Sequence, residues 1–503
     1  MYMTVAKYSK AILLAGIMAA VAGCSNSVSV PTENVVDVDS VPTINPDYTS
    51  IVLPPNIAPM NFEILNPGDG YVVELKGADG LSLTAEGKSV RWDMDKWHEF
   101  LEKNAGKEFE MSVYVKNGAD QWKRYRAVNT VAPDSIDPYF SYRLIEPSYT
   151  MYGLLTINQR NLTNFDESVI FNNTNNRDES RGYCINCHVP RNQYSDKKSQ
   201  FHVRQFNGGT LLIDGSDVRK INLKTDSTIS AGVYQAWHPT QDLIAYSVNE
   251  THQRFFLKNS QKVEVIDGAS DVILYDINKR EVCPVAKNPE LLETFPAWNP
   301  TGDKLYYSVA RYPEGTDANN IDMKYDSIRY DILVRDFDLN THKFSEPDTV
   351  VFATERGRSA LLPRVSPDGR YLLFCEADHG TFHIWHKDSD LFVKDLTTDE
   401  IYPLEAANSD DVDSYHSWSS NGRWIVFSSR RDDGSYTRSY ITYFSQEGKA
   451  SKAFVVPQED PAYYHRLMKS YNVPEFMTGP FEPSRADILK ALESEAEPST
   501  YKP

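Results

Sequence analysis

The sequence predicts an all-β chain, a β-propeller of five to seven blades preceded by a small β-sandwich. Two observations carry this. Four segments of the second half share one grammar: an apolar or aromatic start, a polar residue, a turn with Pro, Ser, Gly or Asp, then an apolar strand. They are AWHPTQDLIAYSVN from Ala236, AWNPTGDKLYYSVA from Ala297, RVSPDGRYLLFCEA from Arg364 and SWSSNGRWIVFSSR from Ser417. The first part of the chain shows instead short runs alternating in polarity, separated by turn signals.

Taking the elements in order, the first residues read as an export leader. Lys7 and Lys10 form a positive start, residues 11–22 a short apolar run, and Val21-Ala22-Gly23-Cys24 a lipobox. The run is too short to span a bilayer, so residues 1–23 are expected to be cleaved and Cys24 lipidated. Two or three acyl chains would anchor the protein stably. The expected location is the cell envelope, with the outer membrane and its periplasmic face favoured because Ser25-Asn26-Ser27 carries no acid. Residues 24–50, rich in Ser, Val, Pro and Asp, read as a flexible tether. Over 51–132, runs such as Tyr71-Val72-Val73-Glu74-Leu75 and Met111-Ser112-Val113-Tyr114-Val115, with a turn at 66–70 and one helix at 93–104, predict a sandwich of immunoglobulin-like type.

Residues 133–200 are expected to connect the sandwich to a propeller at 201–458. The recurring unit of roughly fifty to sixty-five residues, each with several strands, is a propeller signature. Second strands recur as Val272-Ile273-Leu274-Tyr275-Asp276, Ile332-Leu333-Val334-Arg335-Asp336 and Leu391-Phe392-Val393-Lys394-Asp395, and a less regular unit starts at Gly208. The tail, 459–503, predicts one helix over 485–497 with Ser484 as its N-cap.

The net charge of −18, with no basic block, argues against nucleic acid and anionic lipid faces as partners. Envelope proteins or glycans, and the membrane through Cys24, are the expected partners. Of five cysteines, Cys283 and Cys375 have an open status: an exported compartment permits a bridge, while the apolar run around Cys375 suits a buried free thiol.

The chemistry-bearing motif is Cys184-Ile185-Asn186-Cys187-His188. Cys-x-x-Cys-His is the attachment pattern of haem c, with two thiols for the porphyrin vinyl groups and the imidazole of His188 as proximal iron ligand. His202, Met151 and His238 are candidate sixth ligands. The same residues leave a zinc site open, with His202 as a further ligand, and a Cys184–Cys187 disulfide.

The repeats resemble TolB-type propeller repeats, whose pattern is Trp-Ser-Pro-Asp-Gly followed by an apolar strand. Ser366-Pro367-Asp368-Gly369 keeps this pattern without the Trp. Beyond the tether the chain is similar to a family of TolB-like bacterial lipoproteins labelled cytochrome c biosynthesis proteins. That resemblance rests on Ile136-Asp137-Pro138-Tyr139, Tyr142-Arg143-Leu144-Ile145-Glu146-Pro147, the Cys-x-x-Cys-His motif, Phe201-His202-Val203-Arg204, Gly208-Gly209-Thr210, His416-Ser417-Trp418-Ser419-Ser420, Phe427-Ser428-Ser429-Arg430-Arg431 and Tyr471-Asn472-Val473-Pro474-Glu475-Phe476.

A hydrolytic role has little support. Only a short tail follows the last repeat, and the chain has no Gly-x-Ser-x-Gly elbow. Three readings stand: a non-hydrolytic lipoprotein presenting one haem c, a protein- or glycan-binding propeller in which the motif is a zinc clip or staple, and a propeller glycosidase. The last would draw on Asp242, Asp303, Asp368 or Glu376, residues whose placement suits turn geometry as well as catalysis.

Overall fold

The computed structural model describes residues 28–78, 80–118, 121–147, 153–258 and 261–503. The expected leader, Cys24 and Met151 lie outside these.

The small sandwich packs a sheet of strands Val35–Asp37, Gln121–Val131, Glu108–Asn117, Gly70–Gly77 and Ser82–Glu86 near a three-stranded sheet of Ile44–Asn45, Phe62–Ile64 and Ser89–Val90. Alternation of buried and open positions along Gly70–Gly77 and Glu108–Asn117 turns Val73, Leu75, Met111, Val113 and Val115 inward. They meet the helix Met94–Lys103, which buries Trp97, Phe100 and Leu101 and is N-capped by Asp93 through the Lys96 amide. The sandwich starts earlier than expected. Val35–Asp37, assigned to the tether, pairs in parallel with Trp122–Arg124, and Ile44–Asn45 pairs with Glu63–Ile64. These short strands fall among Pro and Asp, so they lack the alternation that marks a strand locally and form only because a neighbour supplies hydrogen bonds.

Beyond the sandwich the chain is a six-bladed propeller, each blade four antiparallel strands. Blade 2 comprises Tyr183–Pro190, Lys198–Gln205, Gly209–Asp214 and Asp217–Asn222, from the axis outward. Blade 3 comprises Val233–Trp237, Leu243–Phe255, Val263–Asp276 and Glu281–Ala286. Blade 4 comprises Leu291–Trp298, Lys304–Arg311, Tyr330–Asp336 and Asp348–Val351. Blade 5 comprises Ser359–Val365, Tyr371–Ala377, Asp390–Asp395 and Ile401–Pro403, and blade 6 Asp413–Trp418, Trp424–Ser429, Arg438–Tyr443 and Phe454–Val455. Blade 1 joins the two ends of the domain. Its outer three strands, Tyr139–Ile145, Thr156–Asn161 and Glu167–Asn172, come before blade 2, and its inner strand, Ser470–Met477, comes from the tail. The six inner strands touch in sequence, and Ser470–Met477 touches Tyr183–Pro190, closing the ring.

The propeller therefore runs from about Tyr139 to Met477, wider than the 201–458 expected, and the motif segment at 133–200 is not a connector. Most of blade 1 and the inner strand of blade 2 lie there, without the Pro-Asp-Gly type of turn that marked the later repeats. The tail helix, Arg485–Glu493, has the expected N-cap Ser484 in a reciprocal cap with Asp487 but ends four residues early. Glu497–Pro498 then pairs with the outer strand of blade 2 and Thr500–Tyr501 with that of blade 3. This strap covers two outer sheet edges.

Candidate functional site at the propeller axis

Every inner strand has a residue with left-handed backbone at the same place: Cys187, Tyr234, Phe295, Leu362, Tyr415 and Val473, with φ between 48° and 57°. Each marks a register break against the second strand of its blade. Such a bulge costs backbone energy, particularly at β-branched Val473, and re-aims side chains. Here the six kinks line one cavity on the axis, of about 170 Å³.

This register explains the motif's place in the fold. Cys187-His188-Val189-Pro190 occupies the position of Tyr234-Gln235-Ala236-Trp237, Phe295-Pro296-Ala297-Trp298 and Tyr415-His416-Ser417-Trp418. His188 is thus the counterpart of His416, whose Nε2 lies 2.8 Å from the Leu362 carbonyl of the preceding blade. His188 is 1 % exposed and sits at the blade 1–blade 2 seam near the carbonyls of Ser141 and Val473. Among the described residues neither of its ring nitrogens makes a well-formed hydrogen bond. Burial, then the charge of Arg143, pushes its pKa down to about 3, so the ring is neutral.

The other expected site residues separate. Cys187 lines the cavity, whereas Cys184 is buried and outside its wall. Both thiols are free, as are Cys283, in the outer strand of blade 3, and Cys375, in the second strand of blade 5. His202 is buried in the second strand of blade 2, opposite Asn186, and burial lowers its pKa to about 3. His238 is a turn residue. Its Nδ1 accepts from the amides of Thr240 and Gln241, and its Nε2 is 3.0 Å from the Gly302 carbonyl, which leaves no lone pair for a metal. The four residues Cys184, Cys187, His188 and His202 do not converge on one point. Among the described residues the group whose ligand atoms all lie within 4.8 Å of one another is Glu264, His379 and His386.

A porphyrin does not fit this arrangement. Cys187 and His188 stand in the cavity wall but Cys184 does not, and the cavity is well below the ~300–1,000 Å³ of pockets for larger organic ligands. The acids named from sequence serve the fold. Asp303 accepts from Asn299 and Thr301, and Asp368 from Ser366 and the Arg370 amide, in turns between inner and second strands. Asp242 pairs with Lys198 and Arg191, and buried Glu376 with Arg356.

What the cavity offers instead is positive charge. Arg143 and Arg204 line it, together with Tyr234, Gln235, Gln253, Thr251 and Tyr415, and among the described residues no carboxylate stands in its wall. Arg143 donates to the neutral side chains of Asn186 and Asn472, which ties blade 2 to blade 1, and its Nε is buried without a partner. Neither guanidinium has a carboxylate within 4 Å among the described residues. A second chamber, about 220 Å³, opens at the other end of the axis between Trp237, Trp298, Trp418 and Phe476. The two share Arg364, whose Nη2 is 2.9 Å from Oε1 of buried Glu475. Desolvation raises the Glu475 pKa, and Arg364 offsets part of that.

No family model matches the chain, and no curated protein matches its sequence. Solved structures similar to it include TolB from Acinetobacter baumannii, at 12% identity and TM-score 0.39, covering 73% of this chain and 78% of that one. An oligogalacturonate lyase from Vibrio parahaemolyticus shares 10% identity at TM-score 0.33, covering 59% and 85%. A prolyl endopeptidase shares 11% at TM-score 0.33, covering 69% of this chain but 41% of that longer one. The architecture rests on the strand pairings and the closed ring of inner strands: the chain is an all-β protein, a six-bladed propeller preceded by a small β-sandwich.

Proposed function

We propose that this chain is a non-hydrolytic binding propeller of the cell envelope whose axial cavity takes a small anionic molecule, bearing a carboxylate or phosphate group. One observation carries the reading: two guanidiniums, half-buried Arg143 and the more open Arg204, line a cavity on the axis whose wall holds no carboxylate among the described residues. Guanidiniums are suited to carboxylate and phosphate by their planar fork of donors. The phenols of Tyr234 and Tyr415 and the amides of Gln235 and Gln253 supply neutral contacts around that charge. In this reading Cys187 and His188 are part of the wall, with His188 at the seam between blades 1 and 2. Envelope placement is supported by the leader and the lipobox at Cys24.

The test is a thermal-shift and calorimetric screen of the soluble mature chain against phosphate, sulfate, succinate and glucuronate, with glucose as the uncharged control. An anion should bind, glucose should not, and Arg204→Met should weaken binding about 10- to 150-fold, the worth of one charge-assisted hydrogen bond. Binding of none of these anions, or equal binding by the variant, overturns the proposal. A haem-stained denaturing gel on protein from haem c-attaching cells tests the other reading. A covalent band lost in Cys187→Ala would replace the anion site with a haem c on Cys184 and Cys187.

A further inference from the structure

Blade 3 carries a hairpin that outgrows its blade. Its second and third strands pair without a break in hydrogen bonding partners from Leu243–Asp276 out to Phe255–Val263, with one bulge near Glu250. Its outer part lies over the axis, where Thr251, Gln253 and Val265 line the cavity. The same end of blade 5 carries the long connection 378–389 between its second and third strands. The two meet at Glu264, which is fully buried although acidic.

Among the described residues Glu264 has no Lys or Arg within 4 Å; two imidazoles and the Gln261 amide stand against it. His386 Nε2 is 3.1 Å from its Oε2 and His379 Nε2 is 3.9 Å from the same oxygen. His386 is 3 % exposed and His379 about one-fifth. Among the described residues the His379 Nε2 is buried without a hydrogen-bond partner, and so is the Nε2 of His383, whose ring packs on His386. The Gln261 amide also reaches Glu264 and lies 3.4 Å from His386 Nε2; turned over, it would present an oxygen to the same point. The backbone makes room. Gly380 has φ +80°, and a Cβ there would stand 2.7 Å from Glu264 Oε1 and 3.1 Å from the His386 ring.

We propose that Glu264, His379 and His386 form a zinc-class divalent metal site that clasps the blade 3 hairpin to blade 5 beside the axial cavity. Two imidazoles and one carboxylate are a zinc donor set, with a fourth position left for Gln261 or water. Ligands bound at about 2.05 Å in a tetrahedron stand roughly 3.3 Å apart, close to the 3.1 and 3.9 Å found here. The metal supplies the positive charge that a buried carboxylate requires and occupies the unpartnered His379 nitrogen. It also joins two segments far apart in the chain, so binding stabilises the native state alone. This assignment does not depend on the anion reading of the cavity.

The experiment uses the full mature chain, stripped with EDTA and titrated with zinc chloride by calorimetry, then with cobalt chloride by visible absorption. One equivalent should bind, raise the melting temperature by a few degrees, and give a tetrahedral cobalt spectrum without thiolate charge transfer. His379→Ala, at the most exposed ligand, should lower affinity at least 100-fold while the metal-free protein melts as before. Glu264→Gln is the second, shape-conserving variant, and Cys184→Ser with Cys187→Ser should leave binding intact. Failure to bind an equivalent of zinc, or full affinity in both ligand variants, would show the cluster to be a hydrogen-bonded His386–Glu264 contact that holds no metal. A thiolate band would place the metal at the cysteines and likewise overturn the assignment.

Discussion

Replacing Asp267 by Asn removes a buried charge while keeping the shape of the side chain. Asp267 lies in the blade 3 hairpin, 3 % exposed, accepting from Asn249 Nδ2 at 3.0 Å and the Tyr330 hydroxyl at 3.5 Å. Desolvation raises its pKa from 3.8 to about 7, against the lowering effect of those two bonds. The folded-state value exceeds the unfolded one, so the folded protein holds the proton more tightly. Stability from this group is therefore full below about pH 4 and lost as pH rises towards 7. By pH 8 the loss amounts to about three pK units, or about 4 kcal/mol. Near pH 4.5 it is about 1 kcal/mol. Asn avoids the whole penalty but has one acceptor oxygen in place of two, which costs about 1 kcal/mol. Asp267→Asn should thus be more stable than the parent by about 3 kcal/mol at pH 8 and equal to it within about 1 kcal/mol at pH 4.5. Guanidinium unfolding followed by tryptophan fluorescence at the two pH values measures this. A variant less stable at pH 8, or a difference that does not change with pH, would refute the desolvation argument.

Three further outcomes follow from the structure. Gly380→Ala should cost about 1–2 kcal/mol in chemical denaturation, because alanine at φ +80° is strained, and should abolish the zinc-induced melting shift as its Cβ presses on Glu264. Removing 470–503 takes the inner strand from blade 1; the shortened chain should lose its cooperative melt by circular dichroism and elute as aggregate in gel filtration. Iodoacetamide on the folded protein, read by peptide mass spectrometry, should modify the partly open Cys187 and Cys283. Cys184, whose pKa burial raises, and Cys375, pushed up to about 12, should react only after unfolding.

The later blades were legible because their turn between inner and second strand is written in residues with local preferences. Ser366, Asp368 and Gly369 close such a turn through their own side chains and a left-handed glycine, whatever the rest of the chain does. Blade 1 was not legible, since its inner strand follows its neighbours by more than three hundred residues and nothing local announces that pairing. The motif at 184–188 drew attention as a cofactor pattern, although a second signal was present. Cys187-His188-Val189-Pro190 is in step with Tyr415-His416-Ser417-Trp418, and that alignment alone places it on an inner strand.

Local chemistry thus determined, from the sequence by itself, the all-β class, the repeat, the turns that hold Asp303 and Asp368, and the capped helix at Ser484. Side-chain periodicity and turn residues act over a few positions, so they can be read one segment at a time. Only the tertiary structure decided the six-blade closure, the cavity of Arg143 and Arg204, and the meeting of Glu264 with His379 and His386. Each of these brings together residues from different blades. Their charges and lone pairs become costly, and therefore informative, only when folding takes them out of water together.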